Sequence, residues 1–167
     1  MDHVDRILAQ WRAERPDLDV APMGLLGRLK RLTDRVTEET GRVFRAHDLT
    51  PAGFDVLATL RRSGPPYALS PSSLISWTMV TSGTMTNRLD RLEAAGLVER
   101  RRDPEDGRGS LVALTDAGFA LIEQVVAEHV ANQHRIVASL PQEMRARLTA
   151  DITEWLAHLD PPQDDDG

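Results

Sequence analysis

The sequence predicts a mainly α-helical fold with one small β-hairpin, and three observations predict it. Apolar residues recur at three- and four-residue spacing over most of the chain, which is the period of a helix. Three segments share one helix-start grammar, a leucine, a hydroxyl residue, then proline or aspartate: Leu49-Thr50-Pro51, Leu69-Ser70-Pro71 and Leu114-Thr115-Asp116. A turn rich in breakers, Asp103-Pro104-Glu105-Asp106-Gly107-Arg108-Gly109, separates two short apolar runs that read as antiparallel strands.

The elements follow in order. Val4, Ile7, Leu8 and Trp11 fall at i, i+3, i+4 and i+7, one stripe on a short helix that Pro16 ends. A longer amphipathic helix spans about 23–46, with Leu25, Leu26, Leu29, Leu32, Val36, Val43 and Phe44 as its stripe. In each shared start the hydroxyl caps the free N–H groups of the first turn. The leucine before it stands at the staple spacing from Phe54, Leu74 or Phe119. The first of these helices runs over Pro51–Arg62, burying Phe54, Leu57, Ala58 and Leu60, and Ser63-Gly64-Pro65-Pro66 stops it. The second runs over Pro71–Trp77. A third begins near Thr81 or Ser82 and ends about 95, with Met85, Leu89 and Leu92 inward and Gly96 as its C-terminal cap. Strands are expected at 97–101 and 111–114, then helices at about 116–138 and 141–159.

Composition excludes several classes of function. Apolar residues make up 41% and charged residues 28%, the balance of a soluble globular protein. The first residues lack the apolar core of a secretory signal, and no apolar run is long enough to span a bilayer, so no membrane partner is expected. There is no cysteine, which excludes disulfides, thiolate metal sites and thiol-based sensing and fits a cytoplasmic location. The net charge of −6 counts at first against nucleic acid, but Asp160, Asp164, Asp165 and Asp166 sit in the acidic tail and leave the rest near −2. The five histidines form no ligand pair on one helical face, and no phosphate-cradling glycine loop or nucleophile elbow is present. No catalytic residue, metal site or cofactor is expected, and the chain does not read as an enzyme.

The order helix, short helix, turn, helix, strand, turn, strand is that of a winged helix-turn-helix, whose second helix lies in the major groove. The inward stripe of that helix leaves Ser82, Thr84, Thr86, Asn87 and Arg91 outward, hydroxyls, an amide and a guanidinium suited to phosphates and base edges. Arg100, Arg101, Arg102 and Arg108 concentrate positive charge on the hairpin, and Arg108 at its tip suits a narrow minor groove. Asp106 stands two residues before Arg108 and can orient it. A solvated helix face and an ordinary exposed hairpin are the bland readings. The terminal helices carry more apolar surface than one winged helix covers, so an intertwined homodimer is expected, reading a palindromic double-stranded DNA operator.

The segments Asp106-Gly107-Arg108-Gly109 and Val112-Ala113-Leu114-Thr115-Asp116-Ala117-Gly118 resemble the wing and exit of the MarR family of transcriptional regulators. Leu89-Asp90-Arg91-Leu92-Glu93-Ala94-Ala95-Gly96-Leu97-Val98 resembles the end of that family's recognition helix. A narrower resemblance, to the urate-responsive branch, rests on Gln10-Trp11-Arg12-Ala13-Glu14-Arg15-Pro16-Asp17-Leu18-Asp19, Gly53-Phe54-Asp55-Val56-Leu57 and Met85-Thr86-Asn87-Arg88-Leu89-Asp90-Arg91-Leu92. It implies an added N-terminal helix over 1–20, beside helical dimerisation segments at 21–48 and 116–160 and a DNA-binding unit at 49–115; the resemblance does not cover 161–167, which composition marks as an acidic mobile tail.

The same resemblance implies that Trp11, Asp55, Arg88 and Arg100 bind a small-molecule effector, urate or a related purine, whose arrival releases a repressor from DNA. Two guanidiniums offer charge to a planar anion, an indole offers a face, and a carboxylate accepts from ring N–H groups. Trp11 also reads as a packing residue, and Asp55 with Arg88 as a structural ion pair. Ile75-Ser76-Trp77-Thr78 is bulkier than the short helix of the branch, which bears on the operator sequence. Two alternatives stay open: a different aromatic or phenolic effector, and a winged-helix dimer that binds protein or ligand without DNA.

Overall fold

A computed structural model describes residues 1–78, 85–104 and 109–159. Over those residues the chain runs α1 (His3–Glu14), α2 (Ala21–Ala46), α3 (Pro51–Arg62), β1 (Ala68–Leu69), α4 (Pro71–Trp77), α5 (Met85–Ala94), β2 (Val98–Arg102), β3 (Ser110–Leu114), α6 (Asp116–Val137) and α7 (Gln142–Leu159). The start expected near Thr81 or Ser82 and the acidic tail lie outside the described residues.

The shared helix starts form as their grammar requires. Thr50 Oγ1 accepts from the Gly53 amide at 3.0 Å, Ser70 Oγ from the Ser73 amide at 3.1 Å, and Thr115 Oγ1 from the Gly118 amide at 3.0 Å. Each bond satisfies an N–H that the first turn leaves without a helical partner. The leucines and their staple partners all join one core.

That core is centred on α3, whose Val56, Leu57 and Leu60 are fully buried beside Leu74, Val112, Ile122 and Val125. The inward stripe of α5, Met85, Leu89 and Leu92, closes it on the outer side. The sheet is antiparallel in the order β1-β3-β2, with Val98 opposite Leu114 and Arg102 opposite Ser110. β1 has no counterpart in the sequence reading. Its two residues show no alternation of their own, and pairing of Ala68 with Ala113 and Leu69 with Val112 creates the strand.

α1 lies against α2 over a small separate core of Val4, Leu8 and Val20. A Cβ at Gly24 would stand 3.0 Å from Leu8 Cδ1, so the bare backbone permits this close approach. Arg28 ties the two helices further, donating to Asp2 at 2.9 Å and Asp5 at 2.5 Å. The predicted stripe of α1 therefore divides: Val4 and Leu8 face α2, while Ile7 and Trp11 remain exposed. Among the described residues, no helix is long and apolar enough to cross a membrane.

Candidate nucleic-acid interface and effector cleft

The recognition helix α5 ends on a left-handed glycine. Gly96 has φ +70°, its amide donates to Glu93 O at 2.9 Å, and the Leu97 amide reaches back to Leu92 O at 2.9 Å. These two bonds are the glycine-terminated cap that the sequence signals. The same corner is tied to the exit of the hairpin, where Thr115 Oγ1 donates to Gly96 O at 2.7 Å and the Thr115 amide to Leu97 O at 3.2 Å. Gly118, in the first turn of α6, lies so close beneath that a Cβ there would collide with the Leu97 carbonyl oxygen. Helix end, hairpin and α6 thus meet at one rigid joint.

A second tie runs through charge. The Arg100 guanidinium on β2 donates to Asp90 at 2.5 Å and also binds Glu93, both on α5. The Arg100 amide donates to Glu93 Oε1 at 3.2 Å. The hydrogen bond to Asp90 raises the Arg100 pKa above its ordinary value, with Glu93 adding to the effect. Wing and recognition helix are therefore coupled by side chains as well as by backbone. At the turn end of the wing the Asp103 amide donates to Gly109 O at 3.0 Å.

Of the residues expected to meet DNA, Thr86, Asn87 and Arg91 are described, and they lie on α5. Thr86 and Arg91 are exposed there, and Asn87 and Arg91 line a cleft on its outer side. Ser82, Thr84 and Arg108, with Asp106, lie outside the described residues.

Of the residues expected to bind an effector, Arg88 is the most informative. It is half-buried on α5, and its Nη1 is buried with no hydrogen-bond partner. It opens on the same cleft, of about 560 Å³, between the start of α3 and the outer side of α5. Asp48, Thr50, Gly53 and Leu92 also line it. Among the described residues lining it, Arg88 is the one member of the expected quartet. Trp11 is 42% exposed on α1, and Arg100 is engaged by Asp90 and Glu93. Asp55 has interactions of its own. The expected ion pair between Asp55 and Arg88 does not satisfy Arg88 Nη1, which keeps a donor without a partner.

Sequence reasoning missed Asp48 and Thr50 as cleft residues. Asp48 follows α2 with φ +55°, its amide donating to Arg45 O at 3.2 Å and the Leu49 amide to Phe44 O at 2.9 Å. A glycine usually marks such a turn, so the aspartate hid the signal.

A helical core around α3, a three-stranded antiparallel sheet and a recognition helix bonded to its wing define the class: a winged helix-turn-helix transcriptional regulator. Residues 47–109 match the MarR family. The chain is 44% identical over 156 residues to the HTH-type transcriptional regulator PecS of Dickeya dadantii, covering 93% of this chain and 94% of that one. It is 34% identical to the multiple antibiotic resistance protein MarR of Escherichia coli, covering 84% and 90% of the two chains. A mutant of that protein, solved with operator DNA, aligns with a TM-score of 0.67 over 87% of this chain and 97% of that one, at 28% identity. Bordetella bronchiseptica BpsR, solved in a study of how 6-hydroxynicotinic acid regulates its DNA binding, aligns with a TM-score of 0.67 over 77% and 90%, at 27% identity. The chain belongs to the MarR family of DNA-binding transcriptional regulators, which are not enzymes.

Proposed function

We propose that the chain is a homodimeric repressor that occupies a palindromic operator and is released by urate or a related purine. Ser82, Thr84, Thr86, Asn87 and Arg91 meet the major groove, and Arg108 meets the minor groove. The effector is held by Arg88 at the cleft, and Trp11, Asp55 and Arg100, which stand outside the lining of that cleft, join its recognition only where the bound state brings them to it.

The observation that carries this reading is the buried, unpartnered Nη1 of Arg88 beside a cleft of about 560 Å³. A buried donor left unmade costs about 1–3 kcal/mol, so the Arg88 guanidinium gains from a small rotation that brings Nη1 to an acceptor in the cleft. The volume suits a small ligand. Asn87 and Arg91 share the cleft wall, so an anion bound there competes directly for side chains that read DNA. An anion that recruits Arg100 as well must displace Asp90 and Glu93 and thereby loosens the wing from α5. Release follows only if the effector binds the DNA complex more weakly than the free protein.

A second effector class, an aromatic acid, is favoured by the likeness to BpsR and its 6-hydroxynicotinic acid. The test is to titrate the complex with a duplex selected by this protein from a random pool, using urate, xanthine, hypoxanthine, 6-hydroxynicotinic acid and salicylate in turn. Urate or a purine should release the DNA from the parent, and Arg88→Met should lose that response at least tenfold. Release by the acids alone would replace the purine assignment with the second class. An unchanged response in Arg88→Met would remove the cleft from the mechanism.

A further inference from the structure

α4 carries an apolar face that the protein leaves uncovered. Its Leu74 is fully buried, but Ile75 is 36% and Trp77 50% exposed. Pro71, Ser72 and Ser76 around them are exposed as well. An indole is among the largest apolar surfaces a side chain offers, and a half-exposed one beside an exposed isoleucine marks a contact surface.

The position of the patch says what it contacts. α4 is the helix that precedes the recognition helix, and Trp77 is its last residue. The Arg62 guanidinium at the end of α3 donates to the Trp77 carbonyl and pins that end of α4. Thr78 Oγ1 adds a bond to Ile75 O at 3.4 Å. α4 has no carboxylate, and Arg62 supplies a cation beside it, so nothing on this helix repels phosphate. The patch stands on the first helix of the helix-turn-helix, and its chemistry is carbon rather than hydrogen-bonding. In the major groove the base that presents carbon is thymine, through its C5-methyl group.

We propose that Trp77, backed by Ile75, is a specificity-determining contact that packs on a thymine methyl at the edge of each half-site. The inference rests on the DNA-binding reading and is separable from the effector assignment. The bulk of Ile75-Ser76-Trp77 then has a purpose: it selects operators that place a thymine beyond the bases read by α5.

The test uses a duplex selected by the full-length protein from a random pool, with affinities measured at fixed salt. Each thymine is replaced in turn by deoxyuridine, which removes the methyl group and nothing else. One position per half-site should cost the parent about fourfold, the factor expected for one buried methyl-sized group. Trp77→Ala should bind the thymine duplex at least fourfold more weakly and be indifferent to deoxyuridine at that position. Trp77→Phe, which keeps a smaller aromatic face, should retain part of the discrimination and reports that the helix is intact. The inference is overturned if Trp77→Ala still distinguishes thymine from deoxyuridine as the parent does, or if the parent is indifferent at every thymine. It is also overturned if the Trp77 fluorescence of a Trp11→Phe, Trp155→Phe variant shifts on self-association and not on adding the duplex, which would give the patch to a second copy. A parent that enriches no duplex at all would overturn the regulator reading itself, a different result from any of these.

Discussion

Among the described residues, three side chains place a buried polar atom where no partner meets it: Thr59, Arg88 and His129. Arg88 borders a cleft, and His129 borders aromatic carbon. The His129 ring stands 5.1 Å from Phe44 and 4.9 Å from Phe54, and burial pushes its pKa below the ordinary histidine value. The unfolded chain therefore takes up a proton near pH 6.5 that the folded chain resists, so stability falls as pH drops through that region. Glu128 acts in the same sense further down. Its pKa is lowered by the hydrogen bond with His47 at 2.7 Å, so its contribution is present above the usual glutamate value and fades below it. Melting temperatures measured from pH 7 to about pH 5.5 should decline by a few degrees in the parent, and His129→Phe should flatten the decline. An equal decline in both proteins would clear His129 of any part in it. The caps at Thr50, Ser70 and Thr115 were legible in the sequence because a cap is a local pattern of a few residues. The isolation of Arg88 and His129 was not, since it depends on how α2, α3, α5 and α6 meet.

Between elements, the decisive contact is the joint of α5, the wing and α6. Two glycines serve it differently, and the difference can be measured. Gly96 needs its positive φ but has open space where a Cβ would go. Gly118 has ordinary helical backbone but no room, because the Leu97 carbonyl occupies it. Gly96→Ala should therefore cost about 1 kcal/mol, the left-handed penalty alone. Gly118→Ala must push α6 off the joint, at about 1–3 kcal/mol or more, and should weaken operator binding beyond its effect on folding. Denaturant unfolding of both variants checks the order, and a costlier Gly96→Ala would refute this account of the joint. Gly96 was readable as a cap because it stands just after the last apolar residue of a periodic run. Gly118 was not, because a close approach across the fold leaves no local mark. β1 was missed for a related reason: its partner, β3, makes it a strand. The division of α1 into a buried and an exposed edge likewise required the position of α2.

At the scale of the whole molecule, the apolar surface exceeds what one chain covers. Leu25, Leu26 and Leu32 on α2 are more than half exposed, and so are Leu156 and Leu159 on α7. No residue of α7 is buried, although the helix has 18 residues and carries Met144, Leu148 and Ile152 as well. Most of a helix's stability in a protein comes from packing of its apolar face, and this stripe is worth about 1.5–3 kcal/mol per large side chain only when covered. A second copy of the chain supplies the cover at no cost in sequence, since a two-fold axis presents each stripe to its own counterpart. The same axis would set two α5 helices about one DNA turn apart, which a palindromic operator requires. Light scattering at micromolar concentration should give twice the 18.5 kDa chain mass. Paired Leu148→Glu and Leu156→Glu substitutions should yield monomers, reduce the helical signal of α7 and abolish tight operator binding, while the winged-helix core on α3 stays folded. If the parent is a monodisperse monomer that binds its operator tightly, the exposed stripes serve some other partner and the two-fold architecture is wrong. If the doubly charged variant remains a dimer, α7 lies outside the interface, and the exposed apolar residues of α2 and α6 must carry it.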